Sequence, residues 1–248
     1  MRNYRYLILI VCLVSIFLPI AVTALPVTSP QIQKQAQAIT VKVLSGDTSG
    51  SGTLIQRQRR TYTVLTNQHV LTPGQDSKYR IQTPDGRIYP ATVASKNQFI
   101  TQDLGLLQFC SSQKAYSVAF LNTSTNPVPG EEVFAAGFPI FSSGLVLTTG
   151  QISLLLDKPL NEGYQIGYTN QVQKGMSGGP LLNLHGEVIG INGRHAYPLW
   201  NNPDVFFDGS TPSNKLQQRI NQLSWAVPVQ SFFKLITQFI SPANSRCG

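Results

Sequence analysis

Short runs of alternating apolar and polar residues dominate the chain from residue 39 onward. Ile39, Val41 and Val43 begin this pattern, and each is separated from the next by one polar residue, the period of a half-buried β-strand. Similar runs, separated by turn residues such as those at 84–86 and 161–163, predict strands at 52–55, 61–66, 79–82, 87–93, 104–109, 133–136, 145–148, 151–156, 164–169, 180–184, 187–192 and 225–229. So many short strands favour a sandwich or barrels.

Helices are predicted at three places outside these strands. Ser29-Pro30 opens the stretch QIQKQAQA with a capping residue and a proline at the first helical position, and Thr211-Pro212 opens SNKLQQRINQL. A last amphipathic helix is predicted from about Val229 to Ile240. The segment NTSTNPVPG, at 122–130, is the best linker, and it divides the strands into two sets of about six.

Residues 1–24 have the features of a secretory signal. Two arginines and no acid precede an apolar stretch from Tyr6 to Val22, and Val22-Thr23-Ala24 has the small-residue spacing of a cleavage site. A retained membrane anchor is the alternative, because about 17 apolar residues approach the length that spans a bilayer. Pro19 and the cleavage site favour removal. We therefore expect an exported protein, periplasmic or extracellular, with an N-terminal segment at 25–37 and no stable membrane span after cleavage.

Charge and cysteine content narrow the function classes. The formal net charge is +8, but the positive residues are scattered and no nucleic-acid-binding module is visible, so no nucleic-acid partner is expected. Cys12 lies in the signal, which leaves Cys110 and Cys247 as an even pair in an exported chain. A disulfide between them is plausible, and two separate thiols are the alternative. His185 and His195 lack ligand-like partners, so no metal is expected.

Three segments carry the residue types that nucleophilic catalysis requires. Ser177 lies in KGMSGGP, where glycines allow a tight bend and backbone N–H groups of Gly175 and Ser177 could receive an oxyanion. His69 follows a predicted strand, and Asp103 stands directly before another. Alone, each fits an ordinary turn, structural or capping role. Together, their order across the two strand sets predicts a triad in a cleft between two barrels.

These segments resemble the trypsin-like serine peptidases of the chymotrypsin fold. The similarity is to the bacterial branch with the HtrA and glutamyl-endopeptidase types, and most of all to exported cyanobacterial trypsin-like proteins. It covers about residues 38 to 240 and rests on SGTLI with TYTVLTNQHVL, and on QDLGLLQF, GEEVFAAGFP, LTTGQISLL, GMSGGPLLNLHGEVIGINGR and LSWAVPVQSFFKLI. The resemblance implies an all-β protein with two six-stranded antiparallel β-barrels at 38–125 and 126–229, then a C-terminal helix and tail at 230–248. The PDZ domain of HtrA members is not recognisable here.

The resemblance also assigns roles to residues. It implies His69 as general base, Asp103 as the residue that orients it, and Ser177 as nucleophile. The N–H groups of Gly175 and Ser177 form the implied oxyanion hole. The implied substrate pocket comprises Gln171, Asn192, Gly193 and Arg194.

This chain departs from better-known members at three of its positions. Trypsin-type members carry an acid where this chain has Gln171, and glutamyl-specific members carry a histidine where it has Asn192. With Arg194 nearby, the pocket positions are neutral or basic, so Lys and Arg are expected to be disfavoured at the scissile position. Met176 replaces the usual Asp or Asn before the nucleophile, so no activation by an inserted N-terminus is expected.

The sequence therefore predicts a secreted serine endopeptidase that hydrolyses polypeptides through an acyl-enzyme, without a cofactor. A catalytically silent, peptidase-like module that binds polypeptides in the cell envelope is the main alternative. An envelope quality-control factor that acts on misfolded proteins is the second.

Overall fold

The computed structural model describes residues 29–72, 78–94, 101–124, 126–197 and 203–236, together with residue 247. Within this part of the chain, twelve strands form two closed antiparallel barrels, so the predicted double barrel is confirmed. The predicted signal at 1–24, residues 25–28 of the N-terminal segment and almost all of the tail after Ile236 lie outside the described residues.

The first barrel contains six strands: β1 (Thr40–Ser45), β2 (Thr48–Gln58), β3 (Thr61–Thr66), β4 (Tyr79–Gln82), β5 (Ile88–Val93) and β6 (Gly105–Cys110). Their order around the barrel is β1-β2-β3-β6-β5-β4, and pairing of β4 with β1 closes it. The alternation that predicted β1 also explains its packing, because Val41 and Val43 both join the apolar cluster inside this barrel.

The second barrel repeats this topology with β7 (Glu132–Gly137), β8 (Val146–Leu155), β9 (Ile166–Tyr168), β10 (Pro180–Leu182), β11 (Val188–Arg194) and β12 (Ser224–Pro228). The order is β7-β8-β9-β12-β11-β10, and β10 pairs with β7 to close the barrel.

One strand prediction was wrong. The runs at 145–148 and 151–156 were expected to be separate strands, but β8 passes through both without a turn. Gly150 lies between them, and a Cβ there would come within 2.4 Å of Asn170 Oδ1. The side chain of Asn170 occupies that space and donates to the carbonyl oxygens of Val133 and Thr148. Gly150 therefore makes room for a close neighbour and does not end the strand.

Four helices accompany the barrels in the described residues: α1 (Ser29–Ile39), α2 (Gln68–Leu71), α3 (Asn214–Asn221) and α4 (Val229–Ile236). The α2 turn was not predicted, and residues 237–240 of the predicted last helix lie outside the described part. A 3₁₀ turn occupies Asn161–Gly163, where a turn was expected. No helix in the described ranges is long and apolar enough to cross a membrane.

Three apolar clusters hold these elements together. One fills each barrel, and the third lies between the barrels and beneath α1 and α4. Because successive side chains of a strand point to opposite faces, one strand can contribute to two clusters. In β3, Val64 belongs to the cluster of the first barrel and Leu65 to the cluster between the barrels. Each such large side chain contributes about 1.5–3 kcal/mol on burial, so the interface cluster fixes the two barrels and the cleft between them.

Candidate active site

The α2 turn at the end of β3 positions His69. Asn67 precedes the turn in an extended conformation, and its side-chain amide donates to the carbonyl oxygen of Asp103 at 2.7 Å. The turn then directs two donors of His69 at the same carboxylate. The backbone N–H donates to Asp103 Oδ1 at 2.9 Å, and Nδ1 lies 2.6 Å from Oδ2. The sequence-predicted pair of acid and base is therefore brought together in the structure.

The surroundings of this pair differ sharply between its members. The side chain of Asp103 is 3% exposed, whereas that of His69 is 48% exposed. The phenolic hydroxyl of Tyr164, from the second barrel, also donates to Asp103 Oδ2, and the backbone N–H of Asp103 donates to the carbonyl of Glu162 at 2.8 Å. A buried carboxylate thus has protein donors on both oxygens, while the far side of the imidazole can meet a ligand.

These contacts shift the pKa values of the pair in opposite directions. Burial alone would lower the pKa of His69, but the hydrogen bond and charge of Asp103, with the charge of Glu162, outweigh it and raise that pKa. Burial alone would raise the pKa of Asp103, but the hydrogen bond and charge of His69, followed by the Tyr164 hydrogen bond, lower it. The arrangement favours an ionised Asp103 beside a more basic imidazole.

Ser177 lies in the loop between β9 and β10, and this loop docks on β2 of the first barrel. Ser51 donates twice to this loop. Its backbone N–H donates to the carbonyl of Ser177 at 2.8 Å, and the Ser51 hydroxyl donates to the carbonyl of Gly175 at 2.7 Å. Gly178 follows at a φ of 89°, and a Cβ there would lie 2.1 Å from Ser51 O. Only glycine fits this left-handed position against the facing strand.

The hydroxyl of Ser177 points toward its own barrel. It donates to the carbonyl oxygen of Gly193 at 3.2 Å, and within the described residues it makes no hydrogen bond to His69. The segments that carry the two residues nevertheless meet at β2. A Cβ on Gly50 would lie 2.7 Å from Val70, next to His69 in sequence, and 3.4 Å from the carbonyl oxygen of Ser177. The structure therefore brings the loop of the predicted nucleophile close to the segment that carries His69, and the Ser177 hydroxyl is directed at Gly193.

The two N–H groups predicted to bind an oxyanion are available. Across the described part of the chain, no protein acceptor receives a hydrogen bond from the N–H of Gly175 or Ser177. Met176 lies between these two residues, and its N–H is already hydrogen-bonded, because it donates to the carbonyl of Gln173 at 3.0 Å. Pairs of uncommitted backbone donors beside a serine can stabilise a developing negative charge on a carbonyl oxygen.

The side chain of Met176 anchors this loop to the interior of the second barrel. Its side chain is fully buried in the cluster that fills the second barrel, and its sulfur accepts from the N–H of Gln173 at 3.4 Å. The position where the resemblance leads us to expect Asp or Asn is therefore filled here by an apolar side chain that needs no cationic partner.

The predicted pocket residues fall into distinct environments. Gln171 is exposed, whereas Asn192 is fully buried. The amide of Asn192 donates to the carbonyls of Ala136 and Pro180 and accepts from the Tyr168 hydroxyl, so its side chain joins strands of the second barrel. All of its polar atoms thus have partners within the protein.

Gly193 and Arg194 end β11 beside the nucleophile loop. Arg194 Nη1 lies 2.7 Å from Asp204 Oδ1, and the side chain of Asp204 is 8% exposed. The sequence-based expectation considered the pocket positions alone, which are neutral or basic, and the structure adds an acid, Asp204, that pairs with Arg194. Sequence reasoning did not connect Asp204 with Arg194, because the two are separated by a segment with no regular pattern.

Cys110, at the end of β6, forms a disulfide with Cys247, and their Cα atoms are 5.8 Å apart. The bond attaches Cys247 to the last strand of the first barrel. In the described ranges, no group of three or more His, Cys, Asp or Glu side chains could hold a metal ion.

The double barrel, the ordered acid–base pair and the serine loop define a class of protein, the trypsin-like serine peptidases. Residues 50–191 match the family model described as "Trypsin-like peptidase domain", and the chain belongs to this family. The resemblance to trypsin-like serine peptidases predicted from the sequence motifs is therefore confirmed.

Curated relatives of this chain include HtrA-type serine proteases. The periplasmic pH-dependent serine endoprotease DegQ of Escherichia coli (strain K12) is 34% identical over 177 residues, which cover 70% of this chain and 37% of DegQ. The mitochondrial serine protease HTRA2 of Drosophila ananassae is 35% identical over 150 residues, which cover 58% of this chain and 33% of HTRA2. This chain spans about a third of the length of these relatives.

A solved structure shares the fold. The serine endoprotease from Yersinia pestis superposes with a TM-score of 0.62 at 22% sequence identity, covering 87% of this chain and 67% of that one. At this identity the similarity supports the double-barrel architecture and no finer feature.

Proposed function

We propose that this chain is a serine endopeptidase that hydrolyses polypeptides through an acyl-enzyme, with Ser177 as nucleophile, His69 as general base and Asp103 as the residue that orients His69. The observation that carries the proposal is the buried Asp103 carboxylate, which accepts from both Nδ1 and the backbone N–H of His69. An imidazole held in this way presents Nε2 as the acceptor and has a raised pKa, which suits a general base.

The proposed chemistry requires one side-chain rotation. The Ser177 hydroxyl leaves the Gly193 carbonyl and donates to His69 Nε2, which takes its proton as Oγ attacks the scissile carbonyl carbon. The N–H groups of Gly175 and Ser177 receive the oxyanion. The imidazolium then gives its proton to the leaving amine. Water next attacks the acyl carbon as His69 takes its proton, and the acyl–Oγ bond breaks as His69 returns that proton to Ser177 Oγ, which releases the acid product.

We further propose a preference for uncharged side chains at the scissile position. The carboxylate of Asp204 is already paired with Arg194, so neither a cationic nor an anionic substrate side chain would find a free partner there. Burying an unpaired charge costs several kcal/mol, so Lys and Arg should be poor residues at this position. This proposal narrows the expectation based on neutral and basic pocket residues alone.

We propose that the protein is exported. Two observations support this: relatives such as DegQ are named as periplasmic, and a disulfide joins Cys110 to Cys247. Disulfides persist in oxidising compartments and are rare in a reducing cytosol.

The test combines labelling with turnover. The protein, purified from the periplasm or medium of an expressing strain, is treated with a fluorophosphonate probe and then incubated with a proteome-derived peptide library. We expect labelling at Ser177 and cleavage of the library, both lost in Ser177→Ala while the fold persists. Polypeptide binding without labelling or cleavage would reject the peptidase and favour the silent binding module. Comparison of unfolded with native casein then tests for the role in quality control.

A further inference from the structure

Tyr164 links the two barrels at the predicted triad. It lies immediately after the 3₁₀ turn of the second barrel and is 1% exposed, and its hydroxyl donates to Oδ2 of Asp103 in the first barrel. The same oxygen lies 2.6 Å from His69 Nδ1. Oδ2 of the carboxylate therefore has one side-chain donor from each barrel.

The backbone before Tyr164 is shaped for this contact. Glu162 and Gly163 adopt consecutive left-handed conformations, with φ values of 66° and 86°. This reversal brings the carbonyl of Glu162 to the N–H of Asp103, at 2.8 Å, and the phenol of Tyr164 to its carboxylate. A left-handed conformation is unfavourable for a non-glycine residue such as Glu162, and such strain concentrates at functional sites.

The ring of Tyr164 is held on two sides. A Cβ on Gly193 would lie 2.3 Å from its hydroxyl oxygen, and the guanidinium carbon of Arg194 lies 5.5 Å from its centroid. Gly193 is also the residue whose carbonyl accepts from the Ser177 hydroxyl. Tyr164 thus donates to the acid of the predicted triad and packs against the residue that contacts its nucleophile.

We propose that Tyr164 is a positioning residue, which fixes the Asp103 carboxylate from the second barrel and so makes correct orientation of His69 depend on docking of the two barrels. The proposal deepens the proposed peptidase function and rests on it. Tyr164 touches no substrate: it acts through Asp103, and its hydroxyl is the part that matters.

The test removes that hydroxyl and keeps the ring. Tyr164→Phe retains the contacts with Gly193 and Arg194 but leaves His69 as the sole side-chain donor to Oδ2. We expect kcat to fall about ten- to hundredfold with KM nearly unchanged, because a hydrogen bond to a charged group is lost without loss of substrate contacts. The matched control is Tyr116→Phe, since Tyr116 is also a buried phenol that donates to an aspartate, Asp85, at 3.1 Å. It lies away from the cleft and should keep the wild-type kcat.

A second readout separates positioning from packing and needs no turnover. Titration of the His69 imidazole by NMR should give a higher midpoint in Tyr164→Phe, because the phenol no longer draws charge density from Oδ2. The charged groups that act on this network, Glu162 on His69 and Arg194 on Tyr164, are unchanged in the variant.

Three outcomes are distinguishable. If the wild type cleaves peptides and Tyr164→Phe matches Tyr116→Phe in kcat and in the His69 titration, the positioning role is refuted and the peptidase stands. A fall in kcat with an unshifted titration would also refute it, since that pattern indicates loosened packing. If the wild type neither labels nor cleaves, the peptidase function fails, and the titration alone then decides whether Tyr164 controls His69.

Discussion

The two barrels share one strand order but hold their parts of the site in opposite ways. In the first barrel, the site is held mainly by side chains around Asp103. The amide of Asn67 donates to the backbone carbonyl of Asp103, and His69 binds the carboxylate of Asp103. In the second barrel, the loop of Ser177 is held mainly through its backbone, by Ser51 of β2 and by a left-handed turn at Gly178.

The two sides of the site should therefore be sensitive to different kinds of substitution. On the first-barrel side, a substitution that preserves shape but changes hydrogen-bonding capacity should destroy function with little effect on geometry. On the second-barrel side, the addition of a single methyl group should displace the loop although every reacting group remains. The predictions below probe each side and the connections between them.

The largest effect is expected from Asp103→Asn. The amide has nearly the same shape, but it can donate to His69 Nδ1 and so favours the wrong imidazole tautomer. We expect kcat to fall by about 10⁴ with the fold intact, as measured by steady-state kinetics and circular dichroism. A variant with more than a tenth of the wild-type kcat would contradict the role of Asp103.

The disulfide of Cys110 and Cys247 is expected to affect stability, and it spans 137 positions. In the chain-entropy account, a loop of this size contributes about 4 to 5 kcal/mol, as an upper figure. The double variant Cys110→Ala, Cys247→Ala should unfold at lower denaturant concentration yet keep its kcat/KM, since the bond lies outside the cleft. Two alkylatable thiols in the exported wild-type protein would show instead that the bridge does not form.

Gly178→Ala tests the second-barrel side. The added Cβ meets Ser51 O at 2.1 Å, so the loop must shift relative to β2. A displacement of about 1 Å at reacting groups can cost about a hundredfold in rate, and we expect a loss of that size in kcat/KM. Gly86→Ala is the matched control, because Gly86 is also left-handed but a Cβ there meets nothing within 4 Å. Equal losses in both variants would rule out the clash as the cause.

The smallest effect concerns pH. The charge of Glu162 helps to raise the pKa of His69, so the acid limb of kcat/KM should have its midpoint above about 6.5, the ordinary value for histidine. In Glu162→Gln this support is lost, His69 stays unprotonated to lower pH, and the limb should move to lower pH. Glu132→Gln, on the exposed side of β7, should leave it in place. A limb that moves to higher pH in Glu162→Gln would contradict the assignment.

The sequence was sufficient to predict the three residues proposed to react, but it did not predict the residues that support them. Ser177, His69 and Asp103 were identified from residue type, local context and order, because each stands beside a recognisable strand or glycine-rich turn. Strand alternation predicted the strands but left a sandwich or barrels open, and the resemblance to trypsin-like peptidases implied the double barrel. The error at Gly150 arose because a glycine in a strand marks either a turn or a close neighbour, and Asn170, the neighbour, is 20 positions away.

Tyr164 and Asp204 could not be predicted, for the same physical reason. Tyr164 begins the predicted strand at 164–169 and has the pattern of any core tyrosine, while its partner Asp103 is 61 positions earlier in the chain. Asp204 pairs with Arg194 in the structure, and no periodic spacing in the sequence links the two positions. Partners chosen by tertiary packing leave no periodic signal, so residues that support a site are harder to predict than residues that react.

The burial of α1 has a consequence for the order of events during synthesis. This helix precedes the first barrel, yet Ile32, Ala36 and Ile39 pack in the cluster between the barrels, and Gln35 donates to the carbonyl of Gly186 at 2.6 Å. As the chain emerges from the ribosome, the contact of this helix with Gly186 can form only after residues about 150 positions later have been synthesised. The N-terminal helix therefore reaches its full set of native contacts only after the second barrel has been made.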